Sequence, residues 1–179
     1  GQELGVTNTD FRDITEFRDI AALSDWKELK RSGRSDEEAL HLLRLVSRDN
    51  SRTPFPWNGE ENGGFSTHSP WIRMNQDYRR INVEEEEKDP SSVLNFYRKL
   101  IALRKESDTL IYGDFTLLEE DDEDLFVYQR TMGDEKYRII VNMSGKEREY
   151  QCKGKVVLSN YSDFLPYLRA WEAKVIKEE

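Results

Sequence analysis

Ser47-Arg48-Asp49-Asn50-Ser51-Arg52-Thr53-Pro54-Phe55-Pro56-Trp57 sets two arginines, an aspartate and an asparagine within five residues, then adds two prolines and two aromatic rings. Proline fixes φ and removes a backbone donor, so this run is neither an ordinary helix nor a central strand. It reads as an ordered loop that presents arginine beside aromatic side chains. Loops of such composition hold function more often than packing.

The residues before the loop read as helical pieces. Phe11, Ile14, Phe17, Ile20 and Leu23 recur at three-residue intervals, on one side of a helix or of short helical turns. Ser24 or Asp25 is placed to cap a piece running through Trp26 and Leu29 to Lys30, with Gly33 as its stop. Ser35-x-x-Glu38 is a capping box, and it opens a helix with Leu40, Leu43 and Val46 on its face. These apolar positions read as core.

Residues 48–88 carry no sustained period. Pro, Gly, Asn and aromatics dominate a segment that is long for a structureless loop unless it is functional. Glu84 to Glu87 are four consecutive carboxylates, which do not converge on one ion and read as a solvated acidic face. Asp89-Pro90 then marks the start of the clearest helix, with Asp89 accepting from free N–H groups and Pro90 at the first helical position. Val93, Phe96, Tyr97, Leu100, Ile101 and Leu103 form a broad apolar stripe that needs a large packing partner.

From Leu110 the period changes to two. Phe115–Leu118, Leu125–Arg130, Tyr137–Asn142, Lys146–Cys152, Lys155–Leu158 and Ala173–Ile176 read as six strands. Asp121–Asp124, Gly133-Asp134, Ser144-Gly145 and Lys153-Gly154 are the turns between them. The acidic turn at 121–124 lacks the glycine and ligand spacing of a calcium loop and reads as a hairpin tip. Short strands at this spacing predict a small antiparallel sandwich. The composition thus divides near residue 107, with helices and a long irregular loop before it and an all-β unit after it.

Bulk properties narrow the partners. Lys plus Arg number 27 against 36 Asp plus Glu, for a net charge of −9, and no basic block is present. Nucleic acid and anionic membrane surfaces are therefore poor partners. Four Trp, eight Tyr and eight Phe argue against disorder. No apolar run approaches the roughly 20 residues that span a bilayer. No signal peptide is visible, and a chain starting at Gly1 without Met is expected to have lost its true N-terminus. Cys152 is the sole cysteine, which excludes a disulfide framework and a Cys-rich zinc site and fits a cytoplasmic location. His41 and His68 read as surface residues. Nothing calls for a cofactor or a metal.

The Arg48–Trp57 run resembles the Arg-Asp-Asn/His-x-Arg-Thr-Pro-Met-Gln-Trp signature of the oligo-1,6-glucosidase and α-glucosidase branch of the α-amylase family. Asn62-Gly63-Gly64-Phe65-Ser66 with Pro70-Trp71, then Asn75, Tyr78, Ile81-Asn82-Val83 and Asp89–Lys105, resemble further blocks of that branch in the same order. Gly1-Gln2-Glu3-Leu4-Gly5-Val6-Thr7-Asn8 is similar to its Gly-Glu-Glu-Ile-Gly-Met-Thr-Asn. The likeness is specific through about Gly113 and weaker beyond. One departure stands in the loop, where Phe55-Pro56 replaces Met-Gln.

The resemblance implies a fold and a role. Residues 1–106 would be the C-terminal, helical end of a (β/α)8 catalytic barrel, comprising the eighth βα segment and the last barrel helix. Residues 107–179 would be a C-terminal antiparallel β-sandwich domain. Retaining hydrolysis of an α-glucosidic bond needs two carboxyl groups about 5 Å apart. The family's catalytic carboxylates lie upstream of Gly1 by this alignment, so the chain alone is expected to be inactive. Arg52 corresponds to an arginine that binds the terminal glucose, as suits a rigid fork of donors. Arg48 and Asp49 are weaker substrate-binding candidates, expected to brace the loop. Trp57, Phe65 and Trp71 are expected to pack under it, with a role as sugar-stacking platforms as the alternative. The intact enzyme would take an oligosaccharide, and the isolated chain would self-associate through uncovered barrel-facing surface. The competing reading is a non-catalytic carbohydrate-binding or interaction module built on the β-sandwich.

Overall fold

The capping box at Ser35 and Glu38 is complete in the computed structural model, which describes residues 1–179. The Glu38 N–H donates to the Ser35 hydroxyl at 3.2 Å and the Ser35 N–H donates to the Glu38 carboxylate at 2.9 Å. Helix α2 follows over Asp36–Val46. Helix α1 before it runs Ile20–Arg31, so Ser24 and Asp25 lie inside it rather than at its start, and Asp19 is its N-cap. Gly33 stops it as expected. At φ +88 its N–H reaches the Lys30 carbonyl while that of Arg34 reaches Leu29.

Upstream, the three-residue period resolves into extended chain and a 3-10 turn over Ile14–Glu16 capped by Asp13. The rings of Phe11 and Phe17 are buried with centroids 4.5 Å apart. Together with Ala22, Leu40, Leu43 and Ile72 they make the core of the first compact unit, Gly1–Asn95. Burial of each such large side chain contributes about 1.5–3 kcal/mol. Ile20 and Val46, both expected inward, are 79% and 73% exposed. The core runs along α1 through Ala22, Leu23, Trp26 and Leu29, and meets α2 at Leu40 and Leu43.

The segment 48–88 is less irregular than its composition suggests. Helix α3, Val83–Lys88, is capped by Asn82, whose side chain accepts from the Glu85 N–H. Its acidic run is only partly solvated. Lys88 pairs with Glu84 and Glu85 at 3.1 and 2.8 Å, and a Glu86 carboxylate oxygen accepts the Leu94 N–H. Asp89-Pro90 does not begin the next helix. The Asp89 carboxylate and carbonyl accept from Ser91 and Ser92, closing a turn. Helix α4 then runs Val93–Lys105, with the Ser92 hydroxyl accepting from Asn95. On α4 Val93, Leu100 and Ile101 remain 41%, 38% and 49% exposed. No helix is long and apolar enough to cross a membrane.

The second unit, Phe96–Glu179, is built on an antiparallel sheet. Strands β1 (Asp114–Leu118), β2 (Leu125–Met132), β3 (Glu135–Asn142), β5 (Lys155–Ser159) and β7 (Ala173–Lys177) pair in the order β1-β2-β3-β7-β5. The strand expected over Lys146–Cys152 shrinks to β4, Arg148–Glu149. It pairs with β6, Tyr167–Leu168, which carries no alternating run long enough to mark it. Helix α5, Asp108–Tyr112, capped by Ser107, precedes β1.

Alternation divides the sheet into two faces. Leu125, Val127, Ile140 and Ile176 share a cluster with Leu168 of β6. Tyr137, Ile139 and Val175 pack with Leu103 of α4 and Leu110 of α5. A register shift between Val156 and Leu158 turns β5 so that Val156 joins the first cluster while Val157 and Leu158 join the second.

A buried polar network holds the loop between β3 and β7. Glu172 is wholly buried and accepts from the Arg169 backbone at 2.8 Å and from its guanidinium at 3.2 Å, with Lys174 Nζ 3.5 Å away. Arg169 in turn lies over the Tyr161 ring at 3.8 Å. Burial pushes the Glu172 carboxyl up, but the hydrogen bonds from Arg169 outweigh it and the group titrates below its ordinary value. Glu172→Gln is expected to destabilise this unit by about 3–5 kcal/mol in urea unfolding at pH 7, because two cations lose their buried counter-charge. The folded carboxyl lies below the unfolded value of about 4.3. Its contribution is therefore complete above that value and lost as pH falls through the folded pKa, so the gap between wild type and variant should close on acidification.

Candidate functional site: the Arg48–Trp57 loop

Ser47 leaves α2 in extended conformation, and its hydroxyl accepts the Asp49 N–H, which starts a 3-10 turn over Arg48–Ser51. The Asp49 side chain, with no exposed surface, turns inward. One carboxylate oxygen accepts the backbone N–H groups of Arg18 and Asp19 at 2.7 and 2.9 Å. The other faces Arg52 Nη1 at 3.3 Å. Asn50 adds a second tie, accepting from Thr9 N–H at 3.0 Å and donating to the Arg44 carbonyl at 2.8 Å.

Past Arg52 the chain is held by its backbone. The N–H groups of Trp57 and Asn58 both donate to the Gly63 carbonyl, at 2.8 and 3.1 Å. The carbonyls of Pro56 and Trp57 accept from Val83 and Glu84 at the start of α3, at 3.0 and 3.1 Å. Gly63 sits at φ +64 between Asn62 and Gly64, which are also left-handed. A Cβ there would displace the Met74 methyl and crowd Pro56 Cα at 3.3 Å, and the positive φ disfavours other side chains, so glycine suits this closure.

The three candidate residues meet different fates. Asp49 is an internal brace. Arg48 is exposed, and only its carbonyl is engaged, accepting from the Ser51 hydroxyl. Arg52 has a side chain 38% exposed, and its Nη1 is shared between Asp49 and Asp19, at 3.3 and 3.4 Å. A cleft of about 480 Å³ opens beside the loop, walled by Gly1, Gln2 and Gly5 to Asn8 and by Asn50, Ser51 and Thr53 to Pro56. Arg52 is turned away from that cleft, toward the two aspartates.

The aromatic expectation fails. Trp57, Phe65 and Trp71 are 53%, 48% and 58% exposed rather than packed under the loop. Main-chain bonds do the closing, so the rings are not needed beneath it. The Trp57 ring meets Phe55 edge-on at 4.8 Å. His41 and His68 are exposed. No three His, Cys, Asp or Glu side chains gather in a way that could hold a metal ion.

Sequence reasoning missed Arg18 and Asp19. Arg18 donates from its guanidinium to the carbonyls of Thr15, Phe17 and Trp71, while its N–H and that of Asp19 satisfy Asp49. The signal in the sequence is Asp19 directly before an apolar helical run, a cap position ahead of Ser24 and Asp25.

Comparison with known proteins extends over the whole chain. The family described as alpha amylase, catalytic domain, matches residues 1–113. An oligo-1,6-glucosidase of Parageobacillus thermoglucosidasius is 38% identical over 99% of this chain and 34% of its own length. A trehalose-6-phosphate hydrolase of Bacillus subtilis is 38% identical over 89% of this chain and 30% of its own. Among solved structures, trehalose-6-phosphate hydrolase of Bacillus licheniformis superposes with a TM-score of 0.92 at 40% identity, covering 99% of this chain and 34% of that one. The isomaltulose synthase of Klebsiella sp. LX3 gives 0.90 at 38% identity with the same coverage. The chain thus spans about a third of the length of such relatives.

The brace makes a stability prediction. Asp49→Ala leaves two backbone N–H groups without their acceptor and takes from the Arg52 guanidinium one of its two carboxylates, and is expected to cost about 2–4 kcal/mol. Thermal unfolding measures the loss, and amide hydrogen exchange should quicken first at Arg18 and Asp19.

Proposed function

The chain belongs to the α-amylase family, and from that premise we propose that it is the C-terminal portion of a retaining, exo-acting α-glucosidase of the oligo-1,6-glucosidase type. Such an enzyme removes terminal α-linked glucose from oligosaccharides. The observation that carries this reading is 38% identity to an oligo-1,6-glucosidase across 99% of the chain, the Arg48–Trp57 loop included. A cytoplasmic location belongs to the same reading.

In this proposal the loop is one wall of a sugar site, as befits a βα loop at the strand ends of a barrel. Arg52 is its ligand-binding residue. Only one corner of its guanidinium is engaged, by Asp19 and Asp49, so three of its five N–H donors remain for sugar hydroxyls. Asp49 braces the loop from inside, and the exposed Arg48 is a weaker candidate for contact with the sugar.

The chain by itself is proposed to be inactive. Retention needs two reachable carboxyl groups about 5 Å apart. Asp19 and Asp49 approach the same nitrogen, yet Asp49 has no surface through which a substrate reaches it. Glu84 and Glu85 are occupied by Lys88, and Glu86 by the Leu94 N–H. The competing module reading leaves the exposed Leu100 and Ile101 of α4 without a purpose. In the glucosidase reading these face the rest of the enzyme, and on the isolated chain they drive self-association.

Three measurements test this. The pure 179-residue chain should not hydrolyse 4-nitrophenyl α-glucoside, and turnover abolished by Arg52→Ala would overturn the inactivity. In an enzyme carrying this chain at the length of its relatives, Arg52→Ala should raise KM tenfold or more, the loss of hydrogen bonds from a charged donor being about 1.5–3 kcal/mol. Light scattering of the isolated chain should show association that grows with concentration, and a strict monomer would count against the uncovered surface.

A further inference from the structure

Tyr128 of β2, Ile139 of β3 and Val175 of β7 form one row across three strands of the second unit. Phe96 and Leu103 of α4 and Leu110 of α5 stand over that row, and a cleft of about 440 Å³ lies between. Its walls are mostly apolar, with Arg104 and Arg130 as the guanidiniums among them. Lys174 also borders the cleft, but its ammonium is engaged by the Leu165 and Tyr167 carbonyls.

Neither guanidinium has a counter-charge. Arg138, Arg148 and Arg169 of the same unit all pair with carboxylates, at 2.6 to 3.2 Å. Arg130 instead makes one bond, from Nη2 to the Ile111 carbonyl at 3.2 Å, and its Nε is buried without any acceptor. Arg104 is exposed, and its side chain forms no ion pair or hydrogen bond. Both charges reach Tyr128. Burial pushes its hydroxyl up, and Arg130 and Arg104 offset that in part. A chain of net charge −9 thus holds two uncompensated cations beside one apolar cleft. Like charges next to low-dielectric walls repel, and an anion relieves them.

We propose that this cleft binds a small amphipathic carboxylate, with its apolar body against the Tyr128, Ile139 and Val175 row and its head group held by Arg104 and Arg130. An apolar pocket with a few converging polar groups is the usual form of a small-molecule site. The unused groups set the class of ligand. Guanidinium offers donors alone, in a fork that matches the two oxygens of a carboxylate. An uncharged head group would leave both cations uncompensated. The site uses no residue of the Arg48–Trp57 loop and does not depend on the glucosidase reading.

Decanoate is the probe, at concentrations below micelle formation, with decanol as its uncharged match. Titrated into the isotope-labelled 179-residue chain, decanoate should give saturable NMR shifts centred on Leu103, Tyr128, Ile139 and Val175. Decanol should bind about tenfold more weakly, lacking the charged hydrogen bonds. Added salt should weaken decanoate and leave decanol alone. Arg104→Gln removes no bond that the fold uses, and should weaken decanoate about fivefold with the melting temperature unchanged. Equal affinity for decanol, an undiminished affinity in Arg104→Gln, shifts centred elsewhere or no saturable binding each overturn the proposal. Shifts of the same residues that follow protein concentration and ignore decanoate also overturn it, and assign the cleft to a second copy of the chain.

Discussion

The Asp49 carboxylate has no surface, and a charge so placed persists only if its lone pairs are met inside the protein. The amides that meet them belong to Arg18 and Asp19, thirty or more residues earlier in the chain. That one side chain therefore fixes where α1 begins and where the chain leaving α2 must turn. Asn50 repeats the device next door, tying the turn to Thr9 and to the end of α2. Breaking such contacts leaves unpaired buried groups, so the geometry is held by penalty as much as by attraction. The position of Arg52, three residues on, follows from it.

The second unit solves a different problem. A strand alternates its side chains, so the central strands β2, β3 and β7 carry apolar residues on both faces of the sheet. One row meets the β6 ribbon through Leu168, and the other meets α4 and α5 through Leu103 and Leu110. The ribbon loop is anchored by polar groups rather than by a core of its own. Asn142 donates to the carbonyls of Lys146 and Arg169, and Glu172 gathers Arg169 and Lys174. Such networks stabilise only when every member is satisfied, which explains why Glu172, Lys174 and Asn142 are found buried together.

What the sequence made legible were features whose cause is local. Ser35 and Glu38 satisfy each other within one turn, Gly33 relaxes a left-handed stop, and the alternation of β2 and β3 is eight residues long in each strand. The helical and all-β halves follow from these. Features that depend on distant partners stayed hidden. Two-residue strands β4 and β6 exist only because they find one another across the fold. Helix α3 is capped by an asparagine inside what reads as an aperiodic loop. Asp19 carries an ordinary capping residue's identity, and nothing local reveals that its carboxylate meets Arg52. The resemblance placed weight on Arg48, Asp49 and Arg52 alike. Only burial and bonding separate a brace from an exposed side chain.

Phe55-Pro56 in place of Met-Gln puts a residue with no N–H and no amide side chain inside the loop. The hydrogen bonding absorbs the change. At position 56 the fold uses the carbonyl, which accepts from Val83, and a buried ring beside Gly63. The donors that close the loop belong to Trp57 and Asn58. Proline therefore removes a donor that the closure does not employ, and its fixed φ narrows the unfolded ensemble. A loop held in this way loses little freedom when a ligand binds, and that saving favours affinity. The departure from the signature thus gives a stiffer loop, one in which Arg52 is carried by a backbone that closes without its side chain.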